Sequence, residues 1–303
     1  MRIFCLPKPC CNSTFSVVLA ALALVAPSAS AQPDPEESTV GPAGFHQGSA
    51  GTSAAALVGL PSTVEQATLQ PPREGIATAN GELGFSVSLS GNRALVGGIR
   101  LLDTGAVIVL RNTGNGWVQE TVLFPSESDH FAQFGHSVSL SGNRALIGAP
   151  YDIDNGNGAG AAYVFEFDGT VWNETAKLTA SDGAAQELFG YSVSLFEDSA
   201  LVGASDDDDN GAHSGSAYVF DFNGTSWSET AKLIASDGGN GDQFGRSVSL
   251  SGELALIGAR WDDDDNNGSN AGSAYVFEFD SAAWSETARL TASDGAANDF
   301  FGA

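Results

Sequence analysis

The chain has 303 residues, 37 of them acidic against 12 basic, for a net charge of −25 at neutral pH. A field of that sign repels phosphate backbones and anionic lipid while drawing cations and basic partners, which argues against nucleic acid as a ligand. With 42% hydrophobic residues in repeated patterns, the chain has the apolar material for a core that a charge-expanded disordered chain lacks.

At the front, Arg2 and Lys8 precede an apolar run over 15–26 and then Ala29-Ser30-Ala31. This is the pattern of a secretory signal over 1–31 with cleavage after Ala31. The run is too short to cross a bilayer, and no later stretch approaches about 20 apolar residues, so no membrane span is expected. Cys5, Cys10 and Cys11 all lie inside that segment. An exported mature chain would therefore carry no disulfide, no thiol nucleophile and no Cys-ligated zinc. Residues 32–63 are rich in Pro, Gly, Ser and Ala without period and read as a disordered linker. Residues 64–70 read as an orphan outer strand, in the place that ETAKL occupies before a later repeat.

From there the chain repeats. FGHSVSLSGNRALIGAPYDIDNGNGAGAAYVFEFDGTVWNETAKLTASDG begins at Phe134, and close copies begin at Phe189 and Phe244. A looser copy, LGFSVSLSGNRALVGG, begins at Leu83, and Phe301-Gly302-Ala303 opens a fifth. A period of about 50 to 55 residues marks a propeller or array built of one supersecondary unit. Each unit carries four strand signals, A to D. Strand A is SVSLS; the Gly142-Asn143 turn leads to strand B, ALIGA. Strand C is AYVFEF, with Tyr163, Phe165 and Phe167 on one face, and strand D starts at Trp172 after a turn at Asp168-Gly169. The expectation is an all-β propeller of four-stranded antiparallel blades, four plus the start of a fifth, open or incomplete, with blades at about 83–133, 134–188, 189–243 and 244–300. The glycines of Phe-Gly and of Ile/Val-Gly-Ala are expected where backbones crowd or strands bulge. Trp172, Trp227 and Trp284 are expected to pack between blades.

Taken together, FG, SVSLSG, ALxGA, the acidic loop, SAYVF and WxExxKLxASDG resemble the FG-GAP repeat, a blade motif shared by integrin α-subunit heads and many exported bacterial proteins. The resemblance spans about 83–303 and implies a secreted or surface-exposed, non-catalytic binding module. It also implies calcium held by D-x-D-x-D-G in the first hairpin of a repeat. Here that hairpin reads Ser141-Gly142-Asn143-Arg144 or Ser251-Gly252-Glu253-Leu254, so that site does not carry over.

The acidic residues lie instead between strands B and C, as YDIDNGNGAG, SDDDDNGAHSG and WDDDDNNGSNAG. In a propeller these loops share a face with the D-to-A connections, which carry Asp182, Asp237 and Asp294. Asp206, Asp208, Asn210 and Gly211 fit D-x-[DN]-x-[DN]-G, as do Asp263, Asp265, Asn267 and Gly268; Asp152 and Asp154 miss the glycine spacing by one residue. Calcium is one reading, since it takes six to eight oxygens, although Ala217 and Ala274 stand where such a loop would place its closing Glu. A solvated acidic loop that keeps the surface soluble is the other. His46, His130, His136 and His213 do not recur at equivalent positions, and H-E-x-x-H and G-x-S-x-G are absent. No catalytic residue is nominated. Two functions are weighed: calcium-dependent recognition of an extracellular protein or polysaccharide through the acidic loops, and a spacer repeat within a larger surface protein. Exposed sheet edges at the two ends could also pair with further blades or another chain.

Overall fold

The computed structural model describes residues 81–127, 131–263 and 268–303. The signal, linker and orphan-strand readings of 1–70 lie outside the described residues.

Among the described residues sixteen strands form four antiparallel sheets, each in simple sequential order. The first holds β1 (Leu83–Ser90), β2 (Arg93–Gly98), β3 (Ala106–Asn112) and β4 (Trp117–Leu123). The second holds β5 (Ser137–Ser141), β6 (Arg144–Ala149), β7 (Ala161–Phe167) and β8 (Trp172–Leu178). The third holds β9 (Phe189–Phe196), β10 (Ser199–Ala204), β11 (Ser216–Phe222) and β12 (Trp227–Leu233), and the fourth β13 (Phe244–Ser251), β14 (Leu254–Ala259), β15 (Ser273–Phe279) and β16 (Trp284–Leu290). One 3₁₀ turn, Leu101–Asp103, is the single helical element among the described residues. This is the expected four-bladed, open propeller.

Local chemistry sets each sheet. The hairpin between β5 and β6 has two loop residues, and of these Gly142 alone takes positive φ, +58°, as a primed turn opening on glycine requires. The turn after β7 is closed by Asp168, whose Oδ1 accepts the backbone N–H groups of Thr170 and Val171. Those bonds hold the Asp168 carboxyl below its ordinary value.

The core lies between sheets. At the junction of the second and third, Leu146, Val164 and Leu178 meet Phe189, Val193, Val202, Tyr218 and Phe220. The neighbouring junctions repeat this with homologous residues, and Trp172, Trp227 and Trp284 pack one against each of the three interfaces. Phe134, Phe189 and Phe244, each followed by Gly, are fully buried and meet a Tyr edge-on, Phe189 with Tyr218 at 5.4 Å between ring centres.

The serines of SVSLS have a role beyond wetting one face. Ser192 Oγ donates to the Gly245 carbonyl of the next sheet at 2.8 Å, and Ser194 Oγ accepts the Leu250 N–H at 2.9 Å. Ser86, Ser137 and Ser247 donate in the same way to Gly135, Gly190 and Gly302. Alternation in this strand therefore separates sheet-to-sheet hydrogen bonding from sheet-to-sheet packing. Ser192→Ala is expected to cost about 1 kcal/mol, because it orphans a part-buried carbonyl; urea unfolding of the two chains measures it.

The outer faces of the first and fourth sheets expose what the inner junctions bury. Val87 is 55% exposed where its counterpart Val193 is 9%, and Leu256 is 42% exposed where Leu201 is 0%.

Candidate functional site

The acidic loops follow β6, β10 and β14, and one turn opens each. The N–H groups of Asp152, Asp207 and Asp262 donate to the carbonyls of Ala149, Ala204 and Ala259. The carbonyls of the same three aspartates accept the N–H groups of Gly160, Gly215 and Gly272, which closes each loop onto the following strand. The side chains so placed are buried, at 1%, 1% and 3% exposure.

In the third sheet Asp207 lies in a small polar cage. Its Oδ2 stands 2.7 Å from the Tyr218 hydroxyl of β11 and 3.0 Å from Lys232 Nζ of β12. Lys232 also pairs with Asp182 at 2.8 Å and with Asp209. Asp182 belongs to the connection leaving the second sheet, and its Oδ1 lies 2.9 Å from the same phenol. The D-to-A connection of one sheet thus meets the B-to-C loop of the next on one rim, as the propeller reading expects.

The neighbours repeat the arrangement. In the second sheet Tyr163 donates to Asp152 at 2.7 Å, and Lys177 pairs with Asp152 at 2.9 Å and with Asp154. In the fourth, Arg289 pairs with Asp262 and, at 3.1 Å, with Asp237 from the preceding connection, while Tyr275 donates to Asp237. The first sheet has neither cage nor acidic loop. Ile108 and Val122 stand where the Tyr and the base stand elsewhere, packed in an apolar cluster with Val96.

Charge follows from these contacts. Burial opposes a charged Lys232, but bonds to Asp182, Asp209 and Asp207 outweigh it and raise the ammonium pKa above the ordinary 10.5. Burial, then the bonds to Asp207 and Asp182, push the Tyr218 hydroxyl up, so it stays protonated and donates. For Asp182, burial acts upward but the bonds from Lys232 and Tyr218 prevail and hold it low.

The residues nominated from sequence fall into two groups. Asp152 and Asp154 are brought together on Lys177. Asp206, Asp208 and Asn210 are not brought together: Asp206 accepts from the Gln243 amide at 2.9 Å, Asp208 from the His213 N–H at 2.6 Å, and the Asn210 amide donates to the Ala235 carbonyl at 3.4 Å. Asp263 accepts the Asn270 N–H at 2.8 Å. Asp265 and Asn267 lie outside the described residues. Calcium needs its oxygens around one point. The carboxylates that do converge, Asp182, Asp207 and Asp209, surround an ammonium, and among the described residues no group of three His, Cys, Asp or Glu side chains could hold a metal ion. Asp206, Asp208 and Asn210 each meet a different partner, Gln243, His213 and Ala235, rather than a common point. The motif drew attention to alternate aspartates one residue away from the buried one. The missed signal was covariation along the chain: Tyr and Lys or Arg recur at fixed places in the second, third and fourth sheets, which have acidic loops, and both are absent from the first.

Sheets of this order, joined by face-to-face packing with their loops gathered on one rim, define a repeat protein of the β-propeller class. The FG-GAP repeat family model matches residues 117–165, 172–220, 227–277 and 284–303, and the chain belongs to that family. Each match starts at the outer-strand Trp, so a family unit spans a junction between sheets. No curated protein matches the chain. FG-GAP repeats are typical of extracellular and surface proteins, and among the described residues no helix is long and apolar enough to cross a membrane.

Proposed function

We propose that this chain is an exported, non-catalytic propeller segment that recognises an extracellular protein or polysaccharide through its loop rim. One observation carries the reading: the acidic loops also present large apolar side chains to solvent, Tyr151 at 40%, Ile153 at 47% and Trp261 at 40% exposure, while the third sheet's loop exposes Asp208 and Asp209. Aromatics set among carboxylates suit a sugar face or a basic peptide better than a bare solubilising surface does. The D-x-D-x-N-G spacing keeps one rival alive, a contact bridged by calcium that the partner helps to coordinate. The exposed end faces, Val87 with Leu89 at one side and Leu254 with Leu256 and Leu290 at the other, are proposed seats for further sheets of the same kind.

The test is binding of the full chain to arrays of polysaccharides and basic peptides, with and without calcium, alongside a Tyr151→Ser/Trp261→Ser variant of unchanged melting temperature. Retention of one ligand class that the variant loses supports recognition, and retention only with calcium supports the bridged contact. A chain that retains nothing, or a variant that binds equally well, leaves a spacer repeat.

A further inference from the structure

We propose that Lys177, Lys232 and Arg289 are the resident cations of the rim, each holding the loop carboxylates in the place where a divalent ion would otherwise be needed. Three observations on separate elements carry this. Lys232 Nζ is met by Asp182, Asp207 and Asp209, from two connections in different sheets, so one ammonium gathers oxygens much as a small cation does. The base recurs at the same strand position, facing the same buried aspartate, in every sheet with an acidic loop. In the sheet without such a loop the base is Val122 and the phenol Ile108, so aspartate, phenol and base come and go as one unit.

The physical reason is local. Asp207 is removed from water, and a buried carboxylate requires a counter-charge. A tethered ammonium supplies it without the entropy of capturing an ion, and its three N–H groups meet the three carboxylates one each. The Tyr218 ring, 5.1 Å from Nζ, adds an attractive face. The loops therefore hold their shape in calcium-free medium. Removing the base leaves three carboxylates facing one opening without a counter-charge, and a hard divalent cation can supply that charge once the side chains draw in around it. This inference does not rest on the partner reading, since a chain that binds no partner still passes or fails it.

The experiment melts the full chain after chelation, with and without millimolar calcium, as wild type, Lys232→Ala and Lys232→Ala/Asp207→Asn. The wild-type midpoint is expected to be indifferent to chelator and calcium, and titration calorimetry to show no binding heat. Lys232→Ala is expected to melt lower and to recover several degrees with calcium but not with sodium at equal ionic strength, and the added Asp207→Asn to remove that recovery. A wild type that loses stability on chelation overturns the inference. So does a Lys232→Ala chain that calcium does not rescue. Should Lys232→Ala fail to fold, Lys177→Ala repeats the comparison at Asp152 and Asp154, with the same two outcomes deciding.

Discussion

Gly203→Ala is expected to destabilise the chain by about 3 kcal/mol, the upper end for overpacking, through the junction of the third and fourth sheets. A Cβ at Gly203 would drive into the carbonyl oxygen of Gly245, and Ser192 Oγ stands on its other side. Both neighbours are fixed, because Ser192 already donates to that carbonyl, and neither can move without parting the two inner strands. Gly142→Ala is the control. Gly142 has positive φ with nothing within 4 Å of an added Cβ, so its substitution carries only backbone strain, about 1 kcal/mol. Urea midpoints for the two variants separate close approach from conformation. A Gly142→Ala chain as damaged as Gly203→Ala would mean that the sheets do not approach here.

Lys232→Ala should be nearly as harmful, about 3 kcal/mol, because it strands the buried Asp207 beside two further carboxylates; the figure sits at the low end for a broken buried pair since the ammonium retains some water. Lys232→Arg should keep most of the stability, as Arg289 does this work in the fourth sheet. The pH dependence has a definite sign. Lys232 has a raised pKa in the fold, so its stabilisation is complete below 10.5 and fades as the pH climbs through the folded value. Asp182 has a lowered one, so its share is complete above 3.8 and lost as acid protonates it. Thermal melts should therefore show a broad plateau between those limits, and Lys232→Ala should lose the alkaline shoulder.

Much of this fold is legible in the sequence because each unit repeats its own turn and strand chemistry. The Gly142-Asn143 and Asp168-Gly169 turns, the Tyr163/Phe165 face and the outer-strand Trp all fall where period-2 alternation and turn residues put them. The serines of SVSLS were harder to read. Alternation tells which side chains differ from their neighbours, not whether the polar side meets water or another segment, and here Ser137 and Ser192 meet carbonyls of the next sheet and Ser247 the carbonyl of Gly302, past the last strand. The loop site was legible as a location and not as a ligand set. A run such as Asp206-Asp207-Asp208-Asp209 does not reveal which carboxylate turns inward. That is decided by the turn on Ala204 and by a lysine 25 residues further on.

The measurement that bears most directly on the account is a double-mutant cycle across the second and third sheets, Asp182→Asn with Lys232→Met, read by urea unfolding. Sheets that share one rim, with the cation of one held by the loop of the other, predict a coupling above about 0.5 kcal/mol, so that Asp182→Asn costs less once Lys232 has been replaced. Strictly additive effects would contradict it, because they would mean that the two loops do not meet.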